Sequence, residues 1–284
     1  MSLDRFSAFS FVDRISSTNN YGEIKGSFKI PEHLDFFPHS LVAEAIGQLA
    51  AWYAMSTLNF TSRPVAALAG QINYHGEVYP GETLRLAAKI DSCDIDSVTY
   101  SGLAVVGERL ILELMDCTGA MLPQEEFDDS KLVEKQFKLL ETIGAKENRL
   151  AVVPCIQGTN LHVDAIGTLE ACLFIPDQAD FFADHFPNKP VFPATLLMYA
   201  LTSMVMEKVN NNSPHSTIPN VNISAMRRVK VRSWIAPGEH LSLRAEFLPT
   251  ERSPKSVKLT ANHAGKLVAS ALLELTAIEL PQAA

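Results

Sequence analysis

The chain has 284 residues, is 47% hydrophobic and carries a formal net charge of −8 at pH 7. This length suits two ordinary domains, or one unit of roughly 140 residues present twice. The negative charge argues against nucleic acid as the main partner, and no apolar run reaches the ~18 to 20 residues that a membrane span needs.

The four cysteines bear on metal binding and on the redox compartment. Cys93, Cys117, Cys155 and Cys172 lie far apart, with no C-x-x-C pair and no histidine at the spacing of a zinc site. We therefore expect no metal, a reducing cytoplasmic location, and buried, unreactive thiols.

The first predicted elements are short strands, an Asp-Phe-Phe turn and a long helix. Pro38 precedes the apolar run SLVAEAIGQLAAWYAMSTL, which predicts a helix over about Ser40–Leu58. Proline is common at the first position of a helix. Because this run is apolar on all sides, we expect the helix to be buried on all sides.

Glu44 is the one charged side chain inside this apolar run. Burying an unpaired carboxylate costs several kcal/mol unless it is protonated, hydrogen-bonded or open to a site. Gln48 follows four residues later on the same helical face and can hydrogen-bond it. From the helix alone, two interpretations of Glu44 are equally favoured. Its carboxylate is either hydrogen-bonded by neighbouring groups without further role or part of a functional site.

Alternating strands and a charged segment follow the helix. TLRLAAKID, VTYSGLAVVG and RLILELMDC predict antiparallel strands that wrap around the buried helix, which is an α+β arrangement. The next segment, Pro123–Arg149, is rich in charge. Its residues Leu132, Phe137, Leu140 and Ile143 fall near helical spacing, so we predict a partly helical, amphipathic linker on the surface. A connector without chemistry is the favoured interpretation.

The rest of the chain repeats the first part. GEIKGSFKIPEHLDFF aligns with GTLEACLFIPDQADFF at a constant offset of 145 residues. The second copy then has ten additional residues, ADHFPNKPVF, after which the copies realign at an offset of 155. VYPGETLRLAAKI also matches IAPGEHLSLRAEF. We predict two copies of one fold, residues 1–122 and 150–284, joined by a linker at 123–149.

The two copies differ in their acid and base groups. In the second predicted helix, about Thr195–Val209, Tyr199 takes the place of Glu44. His185 lies in the ten additional residues, on a loop stiffened by three prolines. A loop histidine alone is more often solvated or structural than catalytic. If the copies pack face to face, however, Glu44 and His185 form one complete acid–base site and leave a second, defective one.

The motifs resemble those of a known family. HFPNKPVFPATLLMYA resembles the H-F-P-x-x-P-V-x-P-G-x-L-x-x-E-A motif of the hotdog-fold β-hydroxyacyl thioester dehydratases of fatty acid synthesis, and PHSLVAEAIGQ resembles part of it. MRRVKVRSWIAPGEHLSL is similar to a later motif of the family. The resemblance implies a double hotdog, each half an antiparallel β-sheet wrapped around a long central helix. It implies that His185 is the catalytic histidine, Glu44 the helix carboxylate and Gln48 its companion.

Three positions depart from the family pattern. Asp184 replaces the glycine before the histidine. Ala194 and His39 replace the glycine after the helix-opening proline, whose backbone N–H the resemblance implies as a ligand of the thioester carbonyl. Fused relatives in polyketide synthesis usually carry their histidine in the first hotdog; the reversed order here suggests a separate lineage.

The resemblance implies a dehydratase that removes water from a 3-hydroxyacyl thioester. A histidine with a reference pKa of about 6.5 can act as base near neutrality, and Glu44 can act as acid if burial keeps it protonated. This chemistry requires no cofactor. A hydratase running the reverse reaction, a thioesterase on the same fold and a non-catalytic acyl- or carrier-binding subunit remain alternatives.

The strand MRRVKVRSW suggests a partner surface. It places Arg228, Lys230 and Arg232 on one face and Val229 and Val231 on the other. On an acidic protein this basic stripe suits an acidic acyl carrier protein, and coenzyme A would also be attracted to it. An ordinary solvated strand face is slightly favoured on sequence grounds alone. The fused halves would form a pseudo-dimer within one chain, and further homo-oligomerisation is left open.

Overall fold

The computed structural model describes residues 5–164, 167–210, 221–249 and 255–277. These residues form one 12-stranded sheet with three α-helices and two short 3-10 helices. No helix in this described part is long and apolar enough to cross a membrane. The predicted α+β class, with antiparallel strands and few helices, is confirmed.

The elements follow the chain in two similar series. The first series and the linker are β1 (Arg14–Thr18), β2 (Glu23–Lys29), α1 (His39–Thr57), β3 (Ser62–Tyr74), β4 (Thr83–Cys93), β5 (Ser97–Val106), β6 (Arg109–Pro123), a 3-10 helix (Gln124–Glu126) and α2 (Ser130–Thr142). The second series is β7 (Thr159–Val163), β8 (Leu169–Phe174), a 3-10 helix (Asp180–Ala183), α3 (Ala194–Asn210), β9 (Val221–Val231), β10 (His240–Phe247), β11 (Lys255–His263) and β12 (Lys266–Ala277).

The sheet has a mirror-like strand order. Its order is β1-β2-β4-β5-β6-β3-β9-β12-β11-β10-β8-β7, so the last six strands repeat the first six in reverse. At the centre β3 pairs antiparallel with β9, with Leu68 opposite Lys230 and Ile72 opposite Met226. The join between the two series therefore lies in the middle of a continuous sheet.

The two long helices begin where the prolines predict. Pro38 directly precedes α1, and Pro193 directly precedes α3. The apolar residues of α1 fill the space above β2 to β6, with Leu41, Ile46 and Leu49 completely buried. The two helices also contact each other, which brings together the positions that carry Glu44 and the start of α3.

The linker contains the expected helix, but its buried face differs from the predicted one. Val133, Phe137 and Leu140 are buried, at the i, i+4, i+7 spacing of one helical face. Leu132 and Ile143, which the sequence pattern assigned to the apolar face, are 46% and 79% exposed. The sequence pattern predicted the helix correctly, but its assignment of Leu132 and Ile143 to the buried face was wrong.

The expectation that all the cysteines are buried is wrong. Cys117 is buried, and burial raises the pKa of its thiol to about 12. Cys155 and Cys172 are exposed. Cys172 lies in β8 at a position that faces solvent, where the strand alternates buried and exposed residues.

Candidate active site

Residues from both repeats surround one cavity of about 240 Å³. Its wall is built from α1, the loop before α3, the start of α3, and strands β3 and β9. Glu44, Gln48, His185 and Ala194 all line it. The structure therefore brings together four of the residues that the sequence singled out, two from each repeat.

His185 is held in one tautomer by its own loop. Its Nδ1 lies 2.9 Å from the carbonyl oxygen of Val191, and because a carbonyl only accepts, Nδ1 carries the hydrogen. Its ring stacks on Phe186, with ring centroids 4.2 Å apart. The lone pair of Nε2 is therefore the one available to take a proton.

The electrostatic environment keeps this imidazole neutral. Burial is the main cause that lowers the pKa of His185, and the nearby guanidinium of Arg63 acts in the same direction. The charge of Glu44 and the bond to Val191 raise the pKa, but they do not outweigh burial. A general base must be unprotonated before it reacts, so this environment favours the base form of His185.

Glu44 is held from two sides. Its Oε1 accepts a hydrogen bond from Nε2 of Gln48 at 3.0 Å, and its Oε2 accepts one from the hydroxyl of Thr195 at 2.8 Å. The bond from Thr195 joins the helices of the two repeats at the cavity. The motifs did not predict a role for Thr195, although the aligned repeats give a signal, since Ser40 has a hydroxyl at the matching position.

Asp184 anchors the N-terminal segment, which we define as residues 5–13. Its carboxylate accepts hydrogen bonds from the backbone N–H groups of Phe6, Ala8 and Phe9 at 2.6, 2.8 and 2.9 Å. The residue that departs from the family glycine therefore fixes the N-terminal segment beside His185. No motif predicted these contacts.

The N-terminal segment also touches His185 and the side-chain amide that binds Glu44. Nε2 of Gln48 donates to the carbonyl of Phe9 at 3.1 Å, and Oε1 of Gln48 accepts from the N–H of Phe11 at 2.8 Å. The ring of Phe9 packs edge-on against His185, with centroids 5.3 Å apart. The segment thus fixes the amide that binds Glu44 and covers one side of the imidazole.

Arg63 is a second residue that the sequence did not reveal. It lines the cavity, and its guanidinium lies 4.2 Å from the ring centroid of Phe186. Burial lowers its pKa to about 10. Its Nε and Nη1 atoms are buried and have no hydrogen-bond partner among the described residues. A cation with two donor atoms unpaired within the described part of the chain is therefore buried beside the cavity.

The basic stripe lies on the strand that also forms a cavity wall. Arg228, Lys230 and Arg232 are exposed. Val229 and Val231 line the cavity from the same stretch of chain. One strand therefore presents positive charge outward and apolar surface to the cavity, which is the division that its alternating sequence predicted.

The cavity opens next to these basic residues. Leu68, Ser233 and Trp234 line it and are themselves exposed, so they mark its mouth. Lys230 pairs with Leu68 across the sheet, and Nζ of Lys189 lies 4.9 Å from the ring centroid of Trp234. A molecule that enters here passes positive charge before it reaches His185.

A second cavity, of about 420 Å³, occupies the matching place in the repeat. Tyr199 lies there in the position of Glu44, and Ser203 in the position of Gln48. The structure also places His39 in this second cavity, with its Nε2 2.7 Å from the carbonyl oxygen of Gly76. His39 is the first residue of α1, five residues before Glu44, and it does not line the cavity that holds Glu44 and His185.

Part of the chain is similar to known dehydratases. Residues 163–271, which include His185, match the family described as ApeI-like, ApeI dehydratase. Over 108 residues the chain is 35% identical to the 3-hydroxyacyl-[acyl-carrier-protein] dehydratase FabZ of Streptococcus pneumoniae (strain ATCC BAA-255 / R6). The aligned region covers 37% of this chain and 75% of the relative.

Solved structures with a similar fold span nearly the whole chain. A putative oleoyl thioesterase from Lactobacillus plantarum has a TM-score of 0.61 at 9% identity, covering 92% of this chain and 98% of that one. A MaoC-like dehydratase has a TM-score of 0.52 at 11% identity, covering 94% and 98%. At such identities the likeness shows the fold alone, which is the hotdog fold that the sequence resemblance implied.

Proposed function

Because the chain belongs to the hotdog-fold family of FabZ-type 3-hydroxyacyl-[acyl-carrier-protein] dehydratases, we propose that it removes water from a 3-hydroxyacyl thioester to give a trans-2-enoyl thioester. The observation that carries this proposal is the presence of Glu44 and His185, from different repeats, around one cavity. One group is suited to remove a proton and the other to supply one.

The proposed reaction uses these residues in a fixed order. Nε2 of His185 takes the proton from C2, and the electrons of that C–H bond form an enolate with the thioester carbonyl. The first N–H groups of α3, including that of Ala194, have no partner within the helix and face developing negative charge at the enolate oxygen. Glu44 then protonates the hydroxyl at C3. The C3–O bond breaks, water leaves and the C2–C3 double bond forms.

Between turnovers the protons are returned. Elimination leaves His185 protonated and Glu44 ionised, so transfer of one proton from the imidazolium to the carboxylate restores the starting state. The bonds from Gln48 and Thr195 keep Glu44 directed at the cavity during this cycle. Addition of water to an enoyl thioester uses the same groups in reverse, so the residues do not set the direction.

The first experiment separates water elimination from thioester hydrolysis. The purified protein is mixed with a 3-hydroxyacyl thioester, and enoyl thioester absorbance and free thiol are followed together. We expect enoyl thioester to form without release of thiol. Release of thiol from hydroxyacyl and saturated acyl thioesters alike would instead establish a thioesterase. Binding of the thioester with neither product would establish an acyl-binding subunit.

We also propose that residues 1–122 and 150–284 are two hotdog units that pair within one chain. The mirrored strand order and the matching starts of α1 and α3 support this division. Of the two cavities, the first combines a carboxylate on the long helix with the histidine of the ten-residue insertion. The Tyr199 cavity is then the counterpart that has neither of these two groups, although Asp35, His39 and Glu77 line it.

An acyl carrier protein is the proposed carrier of the substrate. The exposed cations Arg228 and Lys230 lie on β9, which forms part of the cavity wall, and exposed Arg232 directly follows this strand. Changing all three to Glu is expected to raise KM for a carrier-bound substrate about tenfold or more, because opposite charges across an interface become like charges. KM for a pantetheine thioester, which has no protein surface, should stay within about twofold. Steady-state kinetics at low and high salt measures both, and added salt should reduce the difference.

A matched triple variant controls for net charge. Lys131, Lys135 and Lys266 are also exposed but lie outside the stripe. Changing these three to Glu makes the same change in net charge and should leave KM for the carrier-bound substrate near the wild-type value. Equal effects of both triple variants would show that only overall charge matters. Equal use of a coenzyme A thioester by the wild type would favour coenzyme A as the carrier.

A further inference from the structure

The catalytic cavity extends along α1 well beyond Glu44. Gly47, Ala51 and Met55 also line it, and with Glu44 they repeat at the three- and four-residue spacing of one helical face. At 1.5 Å per residue this face is about 16 Å long, which an extended chain of on the order of a dozen carbons spans. The cavity therefore has a channel that leads away from the reacting groups.

The wall of this channel is apolar and narrow. Val98, Tyr100 and Leu114 face it from the sheet, and all three are buried. A Cβ atom added at Gly47 would lie 3.3 Å from the hydroxyl of Tyr100, so the channel has little spare width there. Such a channel fits an unbranched hydrocarbon chain, because each buried methylene gains roughly 0.8 kcal/mol by leaving water.

The second repeat has larger side chains at the matching positions of its helix. The positions that match Ala43, Gly47 and Ala51 hold the larger residues Met198, Thr202 and Met206. All three line the second cavity, which lies along the matching face of α3. The small residues that make room for a channel beside the reacting groups therefore belong to the helix that carries Glu44.

The far end of the channel is closed by the linker helix α2. Val133 lines the cavity and is 1% exposed, and it lies there with Trp52 and Met55 of α1. Among the described residues of α1, none beyond Met55 lines the cavity. Phe137, one turn after Val133, packs on Trp52 with ring centroids 6.2 Å apart. The helix that connects the repeats is thus fixed against the end of the channel.

We propose that α2 is the floor of an acyl-chain channel and that Val133 sets the longest acyl chain that the enzyme accepts. This inference rests on the proposed function and specifies its substrate as a 3-hydroxyacyl thioester whose chain ends against Val133. The linker then contributes to substrate selection as well as to connectivity. A chain that is too long meets the side chain of Val133 before its thioester reaches His185.

The test compares chain-length profiles of two variants at this position. The ratio of kcat/KM for a long-chain over a short-chain 3-hydroxyacyl thioester is expected to fall about tenfold or more in Val133→Phe, because the larger ring fills the channel end. In Val133→Ala the preferred chain length should increase. Leu132→Phe and Leu132→Ala are matched controls, since Leu132 is on the same helix but 46% exposed, and the ratio should not change in them.

A binding measurement separates this proposal from the proposed reaction. S-alkyl pantetheine thioethers of increasing length cannot react, and calorimetry gives their affinities for the wild type, the two Val133 variants and the two Leu132 variants. A length limit that moves with residue 133 supports the channel, even if no thioester is turned over. Active protein with the same length profile and affinities in both Val133 variants would overturn it. So would equal shifts in the Leu132 variants, which would point to a general effect on α2.

Discussion

His185→Ala and Glu44→Gln are each expected to lower kcat for water elimination by about 10²- to 10⁴-fold, the usual contribution of a general acid or base. In the first variant no lone pair remains to take the C2 proton. In the second, an amide of nearly the same shape cannot donate a proton to the leaving hydroxyl. The rate of enoyl thioester formation measures both effects.

The double variant tests whether these residues work as a unit. Residues that act as a unit lose little more together than the more damaging single change, so His185→Ala with Glu44→Gln should resemble the worse single variant. Tyr199→Phe is the matched control, because Tyr199 has the place of Glu44 in the second cavity. Near wild-type rates in both single variants would show that the reaction takes place elsewhere.

Glu44 and His185 could be singled out from the sequence because the two repeats of the chain can be aligned with each other. Pro38 and Pro193 fix where the two long helices start, and the observed starts lie within one residue of the predicted ones. Once the repeats are aligned, Glu44 has no carboxylate counterpart and the loop of His185 has no counterpart at all. An asymmetry between two copies of one pattern is a stronger signal than either residue alone.

The remaining contacts join positions that no periodic pattern connects. Asp184 binds backbone groups near the start of the chain, and the donor atoms of a backbone have no sequence signature. Arg63 lies at the beginning of a strand, where a basic residue ordinarily faces water. Val133 looked like one of several apolar residues of a linker. These roles depend on how distant segments pack, which local sequence does not encode.

Asp184→Gly, which restores the residue of the resembling family, is expected to weaken both stability and catalysis. All three hydrogen bonds to the N-terminal segment are lost, and the free energy of unfolding should fall by about 2–3 kcal/mol. With the segment released, Gln48 loses its contacts to Phe9 and Phe11 and no longer fixes Glu44. A displacement of this kind lowers kcat on the order of 10- to 100-fold. Urea denaturation and steady-state kinetics measure the two effects.

The pH profile shows whether Asp184 acts by positioning the site. Loss of Phe9 from the edge of His185 exposes the imidazole, and because burial lowers its pKa, exposure should raise it toward the ordinary value. The acid limb of kcat/KM, which reports the base of the free enzyme, should therefore move to higher pH. Asp184→Asn should show a smaller shift, because its one carbonyl oxygen can still accept from Ala8 and Phe9.

Asp180→Asn is the matched control, since Asp180 is exposed and lies in the 3-10 helix just before Asp184. It should leave the unfolding curve, kcat and acid limb near their wild-type values. If Asp184→Gly lowers the free energy of unfolding but leaves kcat and the pH of the acid limb unchanged, the carboxylate only holds the N-terminal segment in place and does not position the site. A graded loss from Asn to Gly, with a matching shift of the acid limb, would establish that the N-terminal segment holds the imidazole in its proton-free form.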